Sequence, residues 1–270
     1  MMHCRRMRVF KPDPEELHRA LWATEPTYTR LFALLQEGRA RRLGKARWGD
    51  KSMDSEEYAD TILTAYPGAK MIHVIRDPRD RYASVLTHRI VGKGGIGAGT
   101  AHWLRSVWLA KRNLLKFPER YTVLRYETLV ARPEATLRQV CDFLGEEYSP
   151  AMLMTNAPRA WGAQRVNPEE GPSPRQISTA RVGRFRDILS EREVAFIQLC
   201  AGKEMAEYGY QPETVHQPLS SRLLFYFADF PINAALMLGW RAHSAALKRI
   251  GRAPSARRLI PEREPANPEV

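Results

Sequence analysis

Two β-forming runs with helical stretches between them restrict this chain more than any other feature of its sequence. Met71-Ile72-His73-Val74-Ile75 is apolar but for His73, and residues 70–76 read as a short buried strand. Tyr121 to Tyr126 is the second such run, rich in β-formers. Between them lie a helical pattern over 78–89, a glycine-rich stretch over 91–99 that reads as a loop, and a long helix from about 100 to 116. Trp103, Val107 and Leu114 fit one face of that last helix. Strands that alternate with helices predict an α/β fold with a parallel sheet. Further helices are expected over 13–37, broken around Pro26, over 54–66, ended by Pro67-Gly68, and over 133–144 and 190–208. A basic stretch runs from Arg39 to Arg47, and residues 155–180 form a long proline-rich connection.

At 270 residues the chain can bury one sizeable core with a small appendage. The expected division is an α/β domain over 1–215 and a helical extension with a basic tail over 216–270. A net charge of +12 calls for acidic partners. A polyphosphorylated nucleotide, an anionic membrane surface and nucleic acid all qualify. Basic and aromatic residues do not interleave and no recognition motif occurs, so nucleic acid is not the expected partner. Cys4, Cys141 and Cys200 form no close pair, which argues against a disulfide framework and a zinc site; no metal is expected. The opening Met-Met-His-Cys-Arg-Arg has no apolar stretch of a secretory leader, so a reducing cytoplasm is the expected compartment. The longest apolar run, Leu223 to Trp240, is interrupted by Asp229, Pro231 and Asn233 and reads as no clean membrane span. It leaves two readings open. One is a helix packed on the domain with a solvated basic tail. The other is a peripheral membrane contact, supported by Arg241, Lys248, Arg249, Arg252, Arg257 and Arg258.

The chemistry concentrates at the end of the first strand, in Arg76-Asp77-Pro78-Arg79-Asp80. Asp77 can cap the helix that follows, and Pro78 suits its first position. Arg76 then leaves the strand beside a helix N-terminus, where free N–H groups favour an anion. Ser84, two turns on, can add a hydroxyl, and arginine grips phosphate oxygens with two prongs. The competing reading is a plain Arg–Asp pair at a strand end. Two other patterns are decoys. Gly92-x-Gly94-x-x-Gly97 has the letters of a dinucleotide loop but follows a helix, and Gly38 through Gly44-Lys45 lacks the spacing and the preceding strand of a phosphate-binding loop.

Arg76 and Ser84, eight residues apart after a strand, resemble the 3′-phosphate-binding motif of sulfotransferases, enzymes that use 3′-phosphoadenosine 5′-phosphosulfate (PAPS). Three other segments resemble the same family in the same order. Trp48-Gly49-Asp50-Lys51-Ser52 is similar to the stretch that supplies an active-site lysine. Leu124-Arg125-Tyr126-Glu127-Thr128-Leu129, continued by Arg132-Pro133-Glu134 and Cys141 to Gly145, is similar to the family's strand-end Tyr-Glu-Asp-Leu stretch. Val182-Gly183-Arg184-Phe185-Arg186 is similar to its late Gly-Arg-Trp segment. The resemblance covers roughly residues 45–210. It implies a three-layer parallel sheet with helices on both faces, like that of P-loop nucleoside-triphosphate hydrolases. It also implies transfer of a sulfuryl group from PAPS to a hydroxyl or amine. Lys51 would neutralise the leaving oxygen from a place after a strand end, although by spacing alone it is a surface cation. Arg76 and Ser84 would hold the 3′-phosphate, Tyr126 would share the carboxyl-end rim of the sheet or lie in the core, and Ser178 and Arg184 would close the cofactor site. The acceptor class stays open among small molecules, carbohydrate, lipid and peptide.

The sequence departs from the family in two places. The Gly/Pro-Arg/Lys-Ser-Gly-Thr loop that cradles the 5′-phosphosulfate is not found, so the chain reads as lacking the first βα unit and as a weak or inactive transferase. A non-catalytic remnant that binds nucleotide or an anionic membrane is the alternative. The general base is also unassigned. Met53 stands where cytosolic relatives place a histidine, and Glu15, Glu16 and Glu25 are unranked substitutes. His88 and His102 flank the glycine-rich stretch and read as surface or core histidines.

Overall fold

The structure, a computed structural model, describes residue 10 and residues 12–87, 95–155 and 175–250. The chain divides into two compact units, one of residues 56–247 and one of the remaining residues at both ends.

The first unit holds α1 (Pro14–Trp22) and α2 (Tyr28–Arg42), which pack together on either side of Pro26. Asp13 caps α1 by accepting from the Glu15 and Glu16 N–H groups at 2.9 and 3.2 Å, and Thr27 caps α2 by accepting from the Arg30 N–H at 3.1 Å. Helix α2 continues past the expected stop at 37 through the basic stretch to Arg42. It ends at Gly44, whose φ of 62° suits glycine. The Lys45 N–H reaches the Ala40 carbonyl at 2.9 Å and the Gly44 N–H the Arg41 carbonyl at 3.0 Å, a Schellman turn. The glycine–lysine decoy is thus a helix C-cap.

The second unit is built on β1 (Met71–Ile75) and β2 (Tyr121–Arg125). They pair parallel, with Met71 opposite Tyr121 and Ile75 opposite Arg125. The crossover consists of α4 (Pro78–Thr87) and α5 (Gly95–Lys116), preceded in the chain by α3 (Ala59–Ala65). After β2 come α6 (Tyr126–Ala131), α7 (Pro133–Leu144), the short antiparallel pair β3 (Met154–Thr155) and β4 (Arg175–Gln176), α8 (Phe185–Ile188) and α9 (Glu191–Glu207). Then α10 (Leu219–Leu224), a π turn (Phe225–Asp229) and α11 (Phe230–Ile250) run on as one long helix. The α/β class and the parallel pairing expected from sequence are both present.

The strand pleat sends His73 and Ile75 to one face, where α4, α5 and α9 supply the core with Tyr82, Trp103, Val107, Phe196 and Ile197. On the other face Ile72 and Val74 stay 37% and 51% exposed, so among the described residues helices cover one face where the sequence predicts two. Gly95 to Gly99 belongs to α5, not to a loop. Low helix propensity gives way there to packing: Ile96 and Ala98 are buried, and a Cβ on Gly97 would overlap the Asn233 carbonyl.

In the middle of β1 its one polar residue, His73, has a complete set of partners. The Ser106 hydroxyl donates to Glu56 Oε1 at 2.7 Å, so it accepts from His73 Nε2–H at 2.9 Å, and His73 Nδ1 accepts from the Tyr121 hydroxyl at 2.8 Å. Burial pushes the Tyr121 phenol up to about 12 and keeps it a donor. Burial also holds the His73 imidazole below its ordinary value, against the opposing charge of Glu56.

Candidate active site at the carboxyl ends of the strands

Parallel strands in register end on the same side, so Arg76 and Tyr126, the residues after β1 and β2, meet at one rim. The Arg76 guanidinium lies 4.7 Å from the centre of the Tyr126 ring, a cation–π contact. Asp77 starts α4 as the sequence predicts: its Oδ1 accepts from the Arg79 N–H at 2.9 Å, and its carbonyl accepts the first helical bond, from Arg81, at 2.8 Å. The Asp77 N–H donates to Glu127 Oε1 at 2.9 Å, and Glu127 Oε2 accepts from the Tyr210 hydroxyl at 2.9 Å. The two strand ends are therefore tied together through α6.

The late Gly-Arg-Phe segment joins the same rim. Asp80, 2% exposed, accepts from the Gly183 N–H at 2.7 Å and from the Phe185 N–H at 3.0 Å. Its Oδ2 stands 3.6 Å from Arg76 Nη2, and that nitrogen also donates to the Arg181 carbonyl. The Trp103 indole N–H holds the Arg76 carbonyl at 2.9 Å. Arg76 is fixed from several sides, yet its Nε is buried with no hydrogen-bond partner. An unmet buried donor costs about 1–3 kcal/mol. Ser84 lies one turn beyond Asp80 on the same face of α4. Gly183 takes a φ of 76°, which lets the chain turn into Arg184, the half-buried cap residue of α8.

The other sequence candidates fall elsewhere. Ser178 is exposed, and its hydroxyl accepts from the Ala180 N–H at 3.3 Å within its own turn. Lys51 is exposed in a loop of the first unit. No strand precedes it among the described residues, which corrects the expected strand end; Arg47 to Asp50 belong to neither described sheet. Glu16 pairs with Arg41 at 2.9 Å, and Glu15 lies in the first turn of α1. Glu25 lies between α1 and α2. His102 Nδ1 meets Arg81 Nη2 at 2.6 Å and its ring packs on Trp240, while His88 lies outside the described residues.

Two residues of the motif have roles that sequence did not separate from that of Arg76. Arg79 is 3% exposed and grips Asp77 with Nε and Nη2 at 3.0 and 2.7 Å, Gln198 at 2.8 Å and the Gln211 carbonyl at 3.0 Å. It is a buried strut with its hydrogen bonds spent. Asp80 is the hinge between motif and late segment. The one available signal was its position four residues after Arg76, the spacing of a pair on one helix face.

A sequence model described as "Sulfotransferase family" matches residues 5–150, more than half of the chain. Among solved structures, a sulfotransferase domain from the curacin biosynthetic pathway is similar at a TM-score of 0.49 and 20% identity, over 77% of each chain. No curated protein matches.

Proposed function

The chain belongs to the sulfotransferase family, and from that premise we propose that it binds PAPS at the rim formed by Arg76, Ser84, Tyr126 and residues 181–185 and transfers its sulfuryl group to a hydroxyl or amine. The observation that supports this reading is the convergence on Arg76. A strand end, a helix N-terminus, an aromatic ring and the late segment meet at one guanidinium that still has an unmet donor. Arg76 would hold the 3′-phosphate in a charge-assisted grip, and the α4 N-terminus adds a favourable dipole. Ser84 would donate its hydroxyl to the same group. Tyr126 orients the arginine from one side and Asp80 from the other. Arg184 would bring a further positive charge to the late segment, and Ser178 would cap its approach.

PAPS, when bound, supplies an activated sulfuryl group whose transfer leaves charge on the bridging oxygen of the nucleotide. Lys51 is the residue proposed to neutralise that charge. The overall fold proposed is the three-layer parallel sheet of the P-loop type, with the site at its carboxyl-end rim. The acceptor would be a small molecule, carbohydrate, lipid or peptide in a cytoplasmic setting.

The 270 residues contain no Arg/Lys-Ser-Gly-Thr loop for the 5′-phosphosulfate, so transfer should be slow. Misplacing a reacting group by about 1 Å costs roughly 100-fold. The test uses PAPS labelled in the sulfuryl group and a mixture of hydroxyl and amine acceptors. Slow transfer above buffer, lost in Lys51→Ala, supports the enzyme reading. No transfer, with adenosine 3′,5′-bisphosphate still bound, replaces it with the non-catalytic nucleotide binder.

A further inference from the structure

The long C-terminal helix shows a second surface that sulfuryl transfer does not use. Between Arg222 and Arg241, a distance of about 28 Å along the helix at 1.5 Å per residue, the sequence carries one charged side chain, Asp229, which pairs with Arg192 at 2.8 Å. One narrow face of this helix is docked on its own unit. Phe225 is buried, Phe230 packs on Phe196, Asn233 lies against Gly97, and Trp240 meets the His102 ring. The five-residue step from Phe225 to Phe230 matches the π turn, which keeps both phenylalanines on the docked face.

The rest of the circumference is apolar and uncovered. Leu223, Leu224, Phe227, Ile232, Leu236 and Leu238 are exposed, Phe227 to 80%. The helix is packed on its own unit along one face, with most of its apolar surface outward. Such a continuous apolar strip exceeds the scattered single residues that a solvated surface normally shows.

Its chemistry fits one occupant. We propose that this strip lies flat on an anionic lipid bilayer. The helix is long and apolar enough to cross a membrane by length and composition, but its docked face holds it against the domain, so it can enter only the interfacial layer. Exposed arginines stand at both ends of the strip, Arg222 and Arg241, placed to reach headgroup phosphates while Phe227 and the leucines enter the acyl boundary. Near its amino end a cavity of about 540 Å³ is lined by Arg222, His216, Gln217 and Tyr226. It offers polar donors where headgroups would lie. The net charge of +12 adds attraction to an anionic surface and none to a neutral one.

The experiment is vesicle flotation of the full chain. Vesicles of phosphatidylcholine with roughly 30% phosphatidylglycerol are compared with pure phosphatidylcholine, and partitioning to the anionic vesicles should be at least about tenfold stronger. Salt at about 0.5 M should remove most of that preference. The triple variant Phe227→Ser, Ile232→Ser, Leu238→Ser changes exposed side chains only, and circular dichroism checks that it remains folded. Its partitioning should fall by at least about tenfold, while adenosine 3′,5′-bisphosphate binding stays unchanged. Equal partitioning of wild type and triple variant would overturn the proposal. So would a wild type that ignores vesicles and forms a dimer abolished by the triple variant, which would assign the strip to a second copy. Resistance to carbonate extraction would overturn it in favour of a spanning helix.

Discussion

Asp80 ties the strand-end motif to the late segment. Its carboxylate is buried, meets two backbone N–H groups of the late segment, and sits opposite Arg76. Asp80→Ala would leave two inward-facing donors without a partner, at about 1–3 kcal/mol each. Chemical denaturation should show a loss of about 2–6 kcal/mol, and Asp80→Asn, which keeps one acceptor oxygen, should lose less. If Asp80→Ala were as stable as the parent, the 181–185 segment would be held by something other than Asp80. Arg79 makes a useful contrast. It carries the same charge three residues from Arg76 but is spent on Asp77, Gln198 and a carbonyl. Arg79→Lys should therefore destabilise the fold, because lysine cannot reproduce the planar fork.

At the scale of elements, the buried His73–Ser106–Glu56 chain couples β1 to α5 and carries a pH signature. The folded state holds His73 below its ordinary pKa, so the unfolded chain binds the proton first. The stability contributed by the neutral ring is complete above about pH 6.5 and is lost as pH falls through that value towards the lower folded one. Melting temperatures between about pH 5 and 8 should fall on the acid side in the parent and fall less in His73→Gln. Equal acid slopes would assign the loss to other groups. The start of α5 supplies the other element-scale expectation. Gly97→Ala places a methyl group on the Asn233 carbonyl and should cost about 1–3 kcal/mol by overpacking, with increased proteolysis within 219–250 as its local readout.

These same elements show what sequence carried and what it did not. The β1 and β2 runs were legible because apolar β-formers bounded by turn residues leave few alternatives, and parallel pairing followed from the helices between them. The cap at Asp77-Pro78 was legible for a local reason: side-chain geometry sets it within three residues. The helical start of α5 was not, because glycine reads as loop until a distant helix is known to require its missing Cβ. The exposure of Ile72 and Val74 was hidden as well, since alternation along a strand says nothing about what covers each face. At the site, Arg76 and Tyr126 were placed together by strand register, whereas the Asp80 bridge to Gly183 spans a long separation in sequence and follows only from the fold.

For the whole molecule, charge and topology point to the same partner class. A chain of net charge +12 places Arg76 at the strand-end rim, beside a helix N-terminus. An anionic ligand with a phosphate at that position is the central claim, and it predicts discrimination by one phosphate group. Calorimetry of the full chain against adenosine 3′,5′-bisphosphate and against AMP tests it directly. The account predicts tighter binding of the bisphosphate. It also predicts that Arg76→Ala removes the preference by deleting a charge-assisted contact of about 1.5–3 kcal/mol, roughly ten- to 150-fold in affinity. Equal affinities for the two nucleotides in the parent chain, or a preference that survives Arg76→Ala, would contradict it.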